Sequence, residues 1–265
     1  LFPLTNSNDT DIQSGANRAE IIRRFFAQKA IDHVDKCRID FHLVPRAFRS
    51  AVTENDRSCA IVIFSLIDGL LCSLISVHII EKIRKEKGGL FGDSGLLPTS
   101  AQRIRFAFAL GWIDDDTRHD LDLSRKIRND FAHELSAVSF SYSQIKGRVA
   151  SFRLNIDRMY GEFFADLGID EENVRRFIQN EEKIKYLLCS CALVERLLRQ
   201  MLLNPFSHRF MTSPSDMLNA ERQSKNLSIL SDAVVESLTL IFQQVERQCG
   251  VSILAPSSST GRNAL

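Results

Sequence analysis

Residues 126–135 read KIRNDFAHEL, and three of them have side chains suited to chemistry: Arg128, Asn129 and His133. The arginine and the histidine stand five positions apart, with the asparagine directly after the arginine. Two kinds of work fit these residues. They form a catalytic pair, or the arginine belongs to a polar lock that holds a helical core together. Periodicity bears on the choice. Leu123, Ile127, Phe131 and Leu135 recur every four residues and define the face turned to the core. Arg125, Asn129 and His133 form a polar stripe on roughly the opposite side, and Arg128 falls at the edge of the apolar sector. A guanidinium there is partly buried and needs a carboxylate or several acceptors. On a straight helix Arg128 and His133 point about 140° apart. The spacing permits a joint site without implying one.

A lock requires a partner. Residues 59–80 read CAIVIFSLIDGLLCSLISVHII, an apolar run with Asp68 in its middle. The run is long enough to suggest a membrane span. An unpaired carboxylate at its centre costs about 2.5–3.5 kcal/mol on insertion scales. The expectation is therefore a long helix buried at the centre of a bundle, with no membrane. Isolated charges in two core helices are most simply explained as one pair, so Asp68 is the expected partner of Arg128. Asp120, on the same side of its helix as Ser124, is the chief rival.

Other candidate residues read as structural. The six cysteines, Cys37, Cys59, Cys72, Cys189, Cys191 and Cys249, include no CxxC pair. They read as buried thiols of a reducing cytoplasm. No Cys/His spacing suits zinc, so no metal and no cofactor is expected. Cys189 and Cys191 belong to the core. His119 and His208 read as surface or cap residues, and Asp114–Asp116 as a solvated helix start. The net charge of +1 gives no general footprint for nucleic acid. The opening residues, which begin at Leu1 rather than Met, predict no signal peptide.

The elements that must position these residues are helical throughout. A first helix is predicted over 17–36, with Ile22, Phe26, Ala30 and Val34 at helical intervals. Pro45 interrupts the chain beyond it. Thr53 and Asp56 then resemble a capping box that starts the long apolar helix, which runs to about Lys87 through Lys82, Arg84 and Lys85. A turn-rich loop, GGLFGDSGLLPTS, precedes a helix capped by Thr99 or Ser100 and stopped by Gly111. The next helix carries KIRNDFAHEL. Further helices are predicted over 143–166, 181–203 and 215–248. No strand pattern, repeat or phosphate loop is visible. The fold class is all-α, a helical bundle with a long buried central helix and a C-terminal helical extension. Its parts are an N-terminal helical arm (1–40), a core (41–168), the extension (169–250) and a disordered tail (251–265).

Three stretches together resemble the mannitol-operon repressor family. They are NDRSCAIVIFSLIDGLL (55–71), LFGDSGLLPTSAQRIRFAFALGWIDDD (90–116) and HDLDLSRKIRNDFAHELSAVSF (119–140). Their order and spacing also fit, and the resemblance runs over roughly residues 40–160. It implies an all-helical protein that represses a sugar-alcohol operon through protein partners, with no DNA-reading motif of its own. The arm and the extension depart from the family pattern. A looser resemblance, carried by Arg128, Asn129 and His133, is to HEPN domains, whose ribonuclease members have an R-x4–6-H motif. It implies a metal-independent RNase, a toxin or defence nuclease, working across a dimer. Arg128 would stabilise charge on the phosphate, and His133 would act as acid or base for 2′-hydroxyl attack. The first expectation is thus a cytoplasmic, non-enzymatic regulator with a protein partner, and RNA as ligand only under the second. The polar stripe and the long extension also suggest a homodimer.

Overall fold

A computed structural model describes residues 40–79, 89–133, 139–154, 181–202 and 225–249. Among these residues every regular element is a helix and there is no strand. The helices are α1 (Leu43–Thr53), α2 (Asp56–His78), α3 (Ser100–Ala109), α4 (Asp115–His133), α5 (Ser143–Ala150), α6 (Glu182–Leu202) and α7 (Lys225–Cys249). The chain divides into two compact units, residues 1–39 with 202–229 and residues 40–201 with 230–265. The site lies in the second. The expected helix over 17–36, the basic run from Lys82 to Lys87, Leu135, His208 and the tail 251–265 fall outside the described residues.

Local chemistry explains the boundaries. Pro45 does not interrupt the chain. It sits in the first turn of α1, where a helix leaves its N–H groups unpaired in any case. The start of α2 is set by Asn55, whose side chain accepts from the Ser58 N–H at 2.9 Å. Thr53, expected to cap it, is instead the last residue of α1, its hydroxyl bonded to Ser50 O. α2 ends at His78, because Ile79 is extended (φ −104°, ψ 139°), well short of Lys87. Thr99 and Gln102 form the capping box of α3. Gly111 closes it at φ +70°, with Gly111 N–H on Phe108 O and Trp112 N–H on Ala107 O, a Schellman motif. Asp114 caps α4 through the Thr117 N–H. α5 stops at Ala150 rather than near 166, since Ser151 begins a turn that leads Arg153 and Leu154 onto the Asp120 carboxylate.

α2 packs on α1, α3 and α4, and α4 also carries α3 and α5. α2 buries one face: Cys59, Ile63, Phe64, Ile67, Leu71, Leu74 and Ile75. It is long and apolar enough to cross a membrane, yet only 39% of its most apolar 18-residue window is buried. The helix enclosed on nearly every side is α6. Tyr186 through Val194 are all buried, as are Leu197, Leu198 and Met201. A helix apolar all round is a core helix. α6 falls in the stretch read as an extension and belongs to the same compact unit as α2 and α4. Its Lys183 ammonium caps the end of α1 at Glu54 O, 2.5 Å away. Tyr186 meets Phe140 at 5.0 Å between ring centroids. α7 repeats buried residues at helical spacing, Leu230, Val234, Leu238, Ile241 and Val245, and ties to α1 through Arg49 and Glu236 at 2.8 Å.

Candidate functional site

Helix α4 assigns each residue of the 126–133 stretch a distinct environment. Ile127 and Phe131 are buried, and Phe131 meets Phe140 edge to face at 5.0 Å. Asp130 pairs with Arg148 of α5, which also donates to the Lys126 carbonyl. Ala132 and His133 are exposed on the last turn. Arg128 is half-buried at the edge of the apolar face, where the spacing put it. Its Nη1 donates to Asn129 Oδ1 at 2.9 Å, and its guanidinium carbon lies 5.3 Å from the centre of the Phe64 ring. The structure thus joins Arg128 to Asn129. It places His133 on the same helix end, on the outer stripe.

The expected lock between Asp68 and Arg128 does not form. Asp68 pairs with Arg103 of α3, Oδ2 to Nη1 at 2.5 Å. The same buried guanidinium donates from Nε to Leu97 O (3.0 Å) and from Nη2 to Pro98 O (2.8 Å), and it lies over Phe91. One side chain thereby joins α2 to the loop that precedes α3. The physical reason is competition. Two loop carbonyls hold Arg103 in place while its Nη1 meets the half-buried carboxylate, whereas Arg128 has a neutral acceptor beside it and an aromatic face beneath it. Arg103 was missed from sequence, although a signal existed: it is four residues before the buried Ala107, on the inward face of α3. Beside this pair, burial raises the Cys72 thiol above its ordinary range, and the Arg103 charge opposes that rise.

Asp120, the rival partner, is not on Arg128 either. It is fully buried, and its carboxylate accepts the backbone N–H groups of Arg153 (2.9 Å) and Leu154 (2.8 Å). His119 Nδ1 lies 3.0 Å from it, so His119 is half-buried rather than a surface group. Asp120 is a structural anchor for the end of α5. The acidic run before it is also engaged: Asp114 with Arg196, and Asp115 with Arg118 and Arg153. These hydrogen bonds hold the exposed Asp115 carboxyl below its ordinary value, first through Arg118 and then through Arg153.

The thiols behave as core groups. Burial pushes Cys59 and Cys189 up to about 12, and Cys191 is buried close to Cys189 in sequence. Among the described residues no group of three or more His, Cys, Asp or Glu side chains could hold a metal ion. At the level of class, this is an all-α helical bundle whose open polar feature is Arg128 with Asn129, near an exposed His133. No family model, no curated protein and no solved structure matches the chain.

Proposed function

We propose that this chain is a cytoplasmic regulatory protein of the mannitol-operon repressor kind, acting in transcriptional repression through protein contacts. The observation that carries the reading is how the three stretches that resemble the family fold. Residues 55–71 lie in α2, 90–116 form the loop and α3, and 119–140 contain α4. These elements pack on one another, and Asp68 of the first is bonded to Arg103 of the second. The net charge of +1 supplies no excess of cations for a DNA backbone. Such a protein needs a partner to reach an operator. The test is fluorescence anisotropy of the full chain with DNA fragments at physiological salt. Binding no tighter than the non-specific range, a Kd of about 10⁻⁶ M or weaker, is expected. Tight, sequence-selective binding by the isolated protein would overturn the adaptor reading.

One observation favours a second reading, a metal-independent RNase of the HEPN kind. Arg128 has no carboxylate partner among the described residues, so its charge is open to an anion. His133 is exposed on the same helix end and reachable by a bound strand. In this reading Arg128 stabilises charge on the phosphate, Asn129 orients the guanidinium, and His133 moves the proton of the 2′-hydroxyl. Mixed RNA is incubated with wild type and with His133→Ala in the presence of a chelator. Under the regulatory reading neither protein cleaves. Cleavage that disappears in a stably folded His133→Ala variant replaces the first reading with the second.

A further inference from the structure

A pair of stacked rings ties the end of α2 to the turn between α3 and α4. His78, the last residue of α2, lies on Trp112 with ring centroids 4.6 Å apart and planes 29° apart. Trp112 is itself held in place. Its backbone N–H donates to Ala107 O at 2.9 Å, and Phe106 packs edge to face on its ring at 5.7 Å. Both His78 and Trp112 are half-buried, so water reaches the pair.

The hydrogen bond of His78 decides where the ring gains a proton. Nδ1 lies 2.8 Å from Leu74 O, and a carbonyl only accepts, so Nδ1 carries the hydrogen. Nε2 is then the basic nitrogen. A proton added there leaves the Nδ1 bond intact and makes the ring a cation. The surroundings hold a cation more strongly than a neutral ring. The indole face attracts it, and the C-terminal end of α2 presents the negative end of the helix dipole. The rings that meet His78, Trp112 and behind it Phe106, carry no charge of their own. Charged groups on the neighbouring elements are engaged with one another. Asp68 of α2 is on Arg103 of α3, with Cys72 beside that arginine. Arg118 and Arg125 of α4 are on Asp115 and Asp122, and Asp114 of the turn is on Arg196 of α6. His119 is held on Asp120, His133 stands at the other end of α4, and Arg105 is exposed on α3.

We infer that His78 is a proton-responsive latch: a proton taken up at Nε2 tightens its hold on Trp112, and with it the tie between the end of α2 and the turn that leads into α4. The inference rests on neither functional reading above. Trp112 is the single tryptophan of the chain, so its fluorescence reads this junction alone. Quenching by acrylamide, a neutral probe, is measured on the full chain at about pH 5 and about pH 8, either side of the range in which imidazole changes charge. Wild type, His78→Gln and His78→Phe are compared, and circular dichroism checks that each keeps its helices at both pH values. In wild type the quenching constant should be roughly two- to fivefold smaller at the lower pH, the factor a half-exposed cation–π contact supplies. His78→Gln, with neither ring nor charge, should be quenched more readily at both pH values and equally at the two. His78→Phe keeps a ring that cannot be protonated, so its quenching should also be the same at both. A wild type quenched equally at the two pH values overturns the inference. So does a folded variant of either kind that keeps the pH dependence of wild type, which would assign the response to another group.

Discussion

Arg103 and Arg128 carry the same charge and do different work, and their partners explain why. Arg103 is enclosed and bonded to Asp68, Leu97 O and Pro98 O. Its removal leaves a mostly buried carboxylate without its cation and two loop carbonyls without donors. Arg103→Ala should therefore destabilise by about 3 kcal/mol or more, near the usual cost of breaking a buried pair. Arg128→Ala removes a bond to a neutral neighbour and a cation–π contact, and should cost only about 1 kcal/mol. Urea unfolding of the two variants beside wild type measures both. Equal losses would show that Asp68 does not depend on Arg103. Asp68 was legible in the sequence as a carboxylate in need of a cation. The identity of the cation was not, because Arg103 on the inward face of α3 and Arg128 beside the apolar face of α4 both read as cations in need of a carboxylate. Choosing between them needs the three-dimensional course of the loop before α3.

Element boundaries were legible where a cap has its own local chemistry. Thr99 with Gln102, Gly111, and Asp114 ahead of α4 all act within a few residues of themselves. α1 was hidden because Pro45 reads as a breaker unless the helix start is already known. The ends of α2 and α5 were also missed. The sequence continues a helical phase beyond both, and nothing local announces Ile79 as extended or Asp120 as the acceptor for residues 153 and 154. α3 offers the cleanest test at this scale, being only ten residues long with a defined device at each end. Gly111→Ala forces a side chain into φ +70°, which costs about 1 kcal/mol. Thr99→Ala removes the N-cap acceptor at a similar cost, about 1 kcal/mol. The two ends share no partner, so the double variant should lose their sum in a thermal melt. A double variant no worse than either single one would mean that α3 frays as a unit and that its caps are not independent.

At the scale of the molecule, α6 belongs to the same compact unit as α2 and α4 and meets them through Lys183 with Asp56 and Tyr186 with Ser124, and the buried thiols of that unit sense its packing. Cys59 of α2 and Cys189 of α6 are both pushed up to about 12 from 9.0, chiefly by burial. Lys183 of α6 lies 4.0 Å from Asp56 of α2, and its charge pulls against that rise at Cys59. Burial also raises Tyr186, which is fully buried on α6. A thiol whose folded value lies above its unfolded value contributes fully below the unfolded value. The contribution falls as pH rises from 9 toward 12, because only the unfolded chain can release the proton. At pH 10 the loss should be roughly 1 kcal/mol for each thiol. The urea midpoint of wild type should therefore drop between pH 8 and pH 10. A Cys59→Ala, Cys189→Ala double variant starts lower, because it loses packing, but should drop less over the same interval. Lysines and exposed tyrosines titrate equally in both proteins, so the difference between the two drops isolates the thiols. Identical drops would mean that the thiols ionise in the folded protein, and that water reaches the junction of α2 and α6.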